Sequence, residues 1–232
     1  DLLAGQPDDY WKSACYYGIL YEGWAAQTGI IERSKSGEIS VGDRTRTWWF
    51  GASYGSGYGD TEGRGMIVGH MNALDRPGEW YLDRDTATVY FWPPDTLQEG
   101  DVYAAVMGTV VKLDGARNVA VRGFTIEACD GDAVVMTGCE DCQVAACTVR
   151  NCGSWGIRIA GGHRSGAFGN DIYATGAGGI MLDGGDRKTL ERGENYATNN
   201  YIHHIAQFAK TYNTGINVGG VGNRADHNLI HD

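Results

Sequence analysis

Four carboxylates in the last quarter of the chain, Asp183, Asp186, Glu194 and Asp226, are of a type and spacing that could do chemistry. Displacement at a sugar acetal carbon generally needs two carboxyl groups, about 5–5.5 Å apart for retention or about 6.5–9.5 Å apart for inversion. Arg187 follows Asp186 directly, and an adjacent guanidinium lowers a carboxylate's pKa and suits it to act as nucleophile or base. The competing reading of Asp183-Gly184 and Gly185-Asp186 is a turn in which the aspartate bonds its own backbone. Four histidines, His203, His204, His227 and His231, form a second group. Imidazoles so placed can shuttle protons, bind a metal or contact sugar hydroxyls, while as stacked turn residues they need only satisfied hydrogen bonds. The turn reading is preferred for the histidines, and neither a metal ligand set nor a cofactor is expected. Tyr201, Phe208 and Tyr212 offer flat apolar faces that suit the C–H faces of sugar rings, whereas Trp48, Trp49, Trp80 and Trp92 read as cross-strand packing in hairpins. The resulting candidates are Asp183, Asp186 and Glu194 for catalysis, with Arg187, His204, Tyr212, Asp226 and His227 for substrate binding.

What must position these residues is a repeat. Residues 110–132, 133–155 and 156–178 align without a gap, and a fourth copy opens at Gly179; the first strands read VVKLDG, AVVMTG, GIRIAG and GIMLDG. Val111, Val134, Ile157 and Ile180 fall in one column and Leu113, Met136, Ile159 and Leu182 in another, which is the period-2 signature of a strand with one buried face. Ile126, Val149 and Ile172 mark a further strand in each copy. A coil of two or three short strands cannot bury its own apolar face, so the copies must stack about 4.8 Å apart. The expected fold is all-β: a right-handed parallel β-helix over residues 108–232, preceded by a β-rich module over residues 1–107. Asn170, Asn200 and Asn228, each in an Asn-x-Ile triplet, should form a hydrogen-bonded column at a turn. After Leu182 the spacing lengthens at residues 185–194 and again at 206–214, and insertions in a solenoid project as loops, often on the binding face.

The first hundred residues lack this period. Trp80-Tyr81-Leu82-Asp83 and Val89-Tyr90-Phe91-Trp92 flank a polar turn and predict a hairpin, Thr47-Trp48-Trp49-Phe50 predicts a strand, and the Gly/Ser/Tyr-rich stretch 51–65 reads as a loop. Thirty-six glycines, four prolines and the absence of a Gly-X-Y period favour a turn-rich β architecture over collagen. A net charge of -10 disfavours a phosphate backbone as partner, and no apolar run approaches the roughly 18–20 residues of a membrane span. Five of the six cysteines fall between 129 and 152; buried free thiols are favoured over disulfides or a zinc site, and the register puts Cys129 directly beneath Cys152.

The run from Leu74 through Asp83, closed by Tyr90-Phe91-Trp92-Pro93-Pro94, resembles the segment that precedes the helix in large right-handed β-helix proteins of polysaccharide-degrading bacteria. The runs Gly184-Gly185-Asp186-Arg187-Lys188-Thr189-Leu190 and Gly219-Gly220-Val221-Gly222-Asn223-Arg224, with Asn228-Leu229-Ile230-His231-Asp232, resemble the same proteins. Among them is an α-L-fucosidase and endo-xylanase group of glycoside hydrolases. The resemblance implies a secreted protein, extracellular or periplasmic, that hydrolyses plant or algal polysaccharide. It also implies further coils beyond Asp232, some of whose acidic residues belong to the active site, so the chain is expected to be a fragment whose last coil is open to self-association. Two alternatives stand beside this one. A polysaccharide lyase or epimerase would draw on Lys188, Arg192 or Lys210 to neutralise a uronate and abstract its proton. A non-enzymatic carbohydrate-binding or self-assembling surface protein would use the unpaired strands at the end of the helix.

Overall fold

A computed structural model describes residue 3 and residues 5–20, 25–35, 37–41, 64–98 and 102–232. The strand expected at 47–50, Trp48 and Trp49 included, and most of the loop expected at 51–65 lie outside the described residues. Gly65, assigned to that loop, instead lies in a strand. The chain separates into two compact units, residues 1–101 and 102–232.

In the first unit, strands Glu38–Val41, Ala25–Lys35, Cys15–Leu20 and Arg64–Val68 lie in that order in an antiparallel sheet. Trp11, Ala14 and Ile31 form its small buried core, with Tyr16, Ile39 and Ile67 packed against them. Trp80–Asp83 pairs antiparallel with Thr88–Phe91, the hairpin predicted from the alternating pattern. Asp83 closes its turn, its Oδ1 accepting from Asp85 N at 3.0 Å and Thr86 N at 3.3 Å. Trp80 is the cross-strand register partner of Phe91. Trp80 is 62% and Trp92 46% exposed, and the stacked cross-strand pair is Tyr81 and Tyr90, with ring centroids 6.1 Å apart.

The second unit is a five-coil parallel β-helix with three sheets. The first sheet stacks Val111–Asp114, Val134–Thr137, Ile157–Ala160, Ile180–Leu182 and Ile216–Val218. The second stacks Ala120–Arg122, Gln143–Ala145, Gly166–Phe168, Tyr196–Thr198 and Arg224–Asp226. The third stacks Thr125–Cys129, Thr148–Cys152, Asp171–Thr175, Tyr201–His203 and Leu229–His231. The register is the one predicted: Val111, Val134, Ile157, Ile180 and Ile216 are successive partners, and the middle three are fully buried. Burying a side chain of this size contributes roughly 1.5–3 kcal/mol, and no coil could gain that without its neighbour.

Polar groups inside the stack are arranged in columns. Asn170 Nδ2 donates to Asn200 Oδ1 at 2.9 Å and Asn200 Nδ2 to Asn228 Oδ1 at 3.0 Å, so the Asn-x-Ile triplets build the expected ladder. A second ladder runs beside it at the corner between first and second sheets. There Ser165 Oγ accepts from Cys142 N at 3.1 Å, Asn195 Oδ1 from Ser165 N at 2.9 Å and Asn223 Oδ1 from Asn195 N at 3.0 Å. Cys142 and Cys147 occupy the earlier coils of these two columns, each directing its thiol at backbone carbonyls. All six cysteines are free thiols, and the five in the helix are buried. Cys129 and Cys152 are register partners, and the closeness of the two thiols lowers the pKa of Cys129 and raises that of Cys152, to whose rise burial adds.

Candidate functional site

The two insertions both belong to the fourth coil. Residues 183–195 join its first-sheet strand to its second-sheet strand, and the pairing of Gly185–Asp186 with Glu191–Arg192 turns this excursion into a minimal hairpin. Residues 204–215 leave from the other side, between the third-sheet strand and the next first-sheet strand. The insertions therefore leave from opposite edges of the first sheet. Successive outward residues on the outer face of that sheet are Lys112, Val135, Arg158, Met181 and Asn217. Arg158 Nε is paired with Asp132 Oδ2, and the two side chains are only 17% and 14% exposed.

Asp183 is exposed at the end of the fourth first-sheet strand, beside the root of the first insertion. Its backbone is held on both sides. Asp183 N donates to Ile159 O at 2.9 Å, while Asp183 O accepts from Gly161 N and Asn195 Nδ2, each at 3.1 Å. The carboxyl Oδ1 accepts from Gly184 N at 2.9 Å and lies against the Gly219-Gly220 turn of the fifth coil. A β-carbon at position 220, where φ is 70°, would collide with Gly184 O and come within 2.7 Å of Asp183 Oδ1, so only glycine leaves room for Asp183.

The other candidates are spread more widely. Asp186 closes its own turn, Oδ1 accepting from Lys188 N at 2.7 Å and Thr189 N at 3.4 Å, with Arg187 exposed beside it. Glu194 sits just past the hairpin at the coil corner, with left-handed φ of 57°, 3.7 Å from Arg192 Nε. Tyr212 is half exposed in the second insertion. Asp226 and His227 stand at the corner between second and third sheets, opposite the first-sheet face. There the Asp226 carboxyl is held below the ordinary range chiefly by the Thr198 hydroxyl at 2.5 Å, with Arg224 and His227 adding to it.

The third sheet brings together groups that spacing alone had only partly joined. His203 and His231 are register partners whose rings stack at 5.6 Å, and Tyr173 stacks on His203 at 4.9 Å. Asp171 Oδ1 meets His203 Nε2 at 3.2 Å, His203 Nδ1 meets His204 Nδ1 at 2.7 Å, and Asp232 Oδ2 lies 2.6 Å from His231 Nδ1. Tyr201 Oη bonds His231 Nε2 at 2.9 Å. His204 thus belongs to this network, at the edge from which the second insertion departs. Among the described residues no group of three or more His, Cys, Asp or Glu has a metal-binding arrangement. The contribution of Asp171 went unseen in the sequence because its partner, His203, is 32 residues away and one coil up.

No helix among the described residues is long and apolar enough to cross a membrane. A family model described as a right handed beta helix region matches residues 101–232, spanning all five coils. No curated protein and no solved structure matches the chain.

Proposed function

We propose, from the premise that this chain belongs to the right-handed β-helix family, that it is a secreted carbohydrate-active protein whose first-sheet face takes a polysaccharide strand and hydrolyses its glycosidic bonds. The observation that carries this reading is that one coil sends out both insertions, from the two edges of one sheet, with Asp183 exposed between them. A face walled on both sides suits a linear polymer better than a small ligand. Asp183 supplies one carboxyl, on a backbone already locked in place, as a preorganised catalytic group requires. Glu194, beyond the first insertion, is proposed as the second carboxyl, with Arg187 and Tyr212 reaching the sugar from the two walls. Asp186 is left to its turn. The proposed substrate is a plant or algal polysaccharide met outside the cell, and the proposal places the protein there with it.

The test is substitution of Asp183 by Asn, whose amide oxygen still accepts from Gly184 N. Release of reducing ends from xylan or a fucose-containing polysaccharide should fall roughly 10²–10⁴-fold. Stability should change by no more than about 0.5 kcal/mol, as for an ordinary surface exchange. Asp186→Asn should leave both properties near wild type, because its amide oxygen closes the same turn. Full activity in Asp183→Asn would remove the reading. Unsaturated, UV-absorbing product ends would replace hydrolysis by elimination, and tight binding without turnover would replace it by a binding function.

A further inference from the structure

The second sheet carries a shallow depression of about 430 Å³ on its outer side, largely open to solvent and on a different sheet from the first-sheet face. Its size falls within the roughly 300–1,000 Å³ of small-molecule sites. One rim is a corner column in which Asn118, Asp141 and Arg164 succeed one another, with left-handed φ of 55°, 54° and 50° that throws each side chain outward. The floor comes from the outward positions of the strands, Ala120, Gln143 and Tyr196, with Gly166 buried beneath the last of them. A β-carbon on Gly166 would come within 2.5 Å of the Tyr196 ring, so the ring lies directly over that glycine. It reaches across two coils to Gln143, whose Nε2 donates to the Tyr196 hydroxyl at 2.7 Å.

The charges here are balanced. Arg164 Nε and Nη2 donate to the two oxygens of Asp141 at 2.8 and 2.9 Å, and Nη2 also to Glu140 Oε1 at 2.7 Å. Arg117 meets the other oxygen of Glu140 at 3.2 Å. An incoming anion would find its guanidinium already engaged by two carboxylates and would be repelled by them. A neutral polyhydroxylated ring suits the site better: its hydroxyls can donate to Asp141 and to the Gln143 amide oxygen, while its C–H face packs on apolar Ala120 and against the side of the Tyr196 ring, over whose face the Arg224 guanidinium stands 5.6 Å from the centroid.

We infer that this concavity is a second carbohydrate subsite, which holds a neutral pyranose unit of an oligosaccharide without taking part in bond cleavage. It uses none of the residues assigned to hydrolysis, although Glu194 follows Arg164 in the same corner column, so the two can fail separately. The experiment is calorimetric titration of the full chain with neutral xylo-, gluco- and manno-hexasaccharides and with hexagalacturonate. At least one neutral hexasaccharide should bind in preference to hexagalacturonate. Tyr196→Ala and Gln143→Ala should each weaken that binding about ten-fold or more, whereas Tyr196→Phe, which keeps the ring, should stay within about three-fold. Asp183→Asn should leave the Tyr196-dependent binding intact, and Tyr196→Ala should leave turnover of short soluble substrates unchanged. Circular dichroism checks that each variant is folded; should Tyr196→Ala misfold, Gln143→Ala decides. Absence of neutral-sugar binding, preference for hexagalacturonate, or binding indifferent to both Tyr196→Ala and Gln143→Ala would overturn the inference, even if hydrolysis is found. Binding that depends on Tyr196 in a protein without hydrolytic activity would uphold it and overturn the catalytic reading alone.

Discussion

Asp132 and Arg158 form the least exposed ion pair among the described residues. Burial pushes the Asp132 carboxyl up, but hydrogen bonds from Arg158, Trp155 N and Ser154 outweigh it, and the net shift is downward. A carboxyl whose folded pKa is depressed contributes stability that is fully present above its unfolded value of about 3.9 and is lost as pH falls through the folded value. Unfolding midpoints in denaturant should therefore decline below about pH 4. Asp132→Asn should lower stability at neutral pH by about 1–3 kcal/mol and flatten part of that acid decline. Equal acid slopes in the two proteins would show that the pair contributes nothing. At this scale the sequence was informative about the cysteines, because a thiol behaves as a small core residue and the register stacks Cys152 on Cys129. It was silent about Asp132, whose partner lies 26 residues on, outside any local pattern.

Each coil turns its corners on residues with left-handed backbone. Gly123, Ala146, Gly169, Asn199 and His227 form one such column, with φ between 49° and 75°. A residue with a β-carbon pays about 1–2 kcal/mol there, part of which glycine returns through its greater freedom when unfolded. Ala146→Gly should thus stabilise the protein by about 0.5–1 kcal/mol in chemical denaturation, and Gly169→Ala should destabilise it by a similar amount. No atom lies within 4 Å of a β-carbon built on Gly169, so the second effect would be backbone strain alone. A loss of stability in Ala146→Gly would contradict this account. The strands of the first sheet were legible because most place two inward apolar residues at period 2, Val134 and Met136 for example, and those of the third because a single β-branched residue, Ile126, Val149 or Ile172, recurs in register at a constant spacing. Those of the second sheet were not. Each has three residues with a single inward side chain, Val121, Val144, Ala167 or Ala197, and one apolar residue makes no period. The ladder through Ser165, Asn195 and Asn223 was hidden for a related reason: its residue type changes from coil to coil, whereas the triplets at 170, 200 and 228 repeat.

Across the whole helix, the insertions could be found as breaks in a constant spacing, but the edges from which they leave depend on there being three sheets. Asp183 follows a first-sheet strand, whereas Asp226 and His227 close a second-sheet strand at the corner with the third sheet, away from the face holding Asp183. The geometry of the stack also governs how the molecule would respond to load. Bonds between coils, such as Gly156 N to Gly178 O at 3.2 Å, run along the axis, so tension applied between residue 102 and Asp232 opens one rung at a time instead of shearing many together. In force spectroscopy a coil of the regular repeat, from Val134 to Ile157, should release about 80 Å of chain, and the fourth coil, from Ile180 to Ile216, about 120 Å. The extension record would then carry one long step among shorter ones, marking the coil that bears both insertions; a single rupture of the entire stack would mean that the coils yield together.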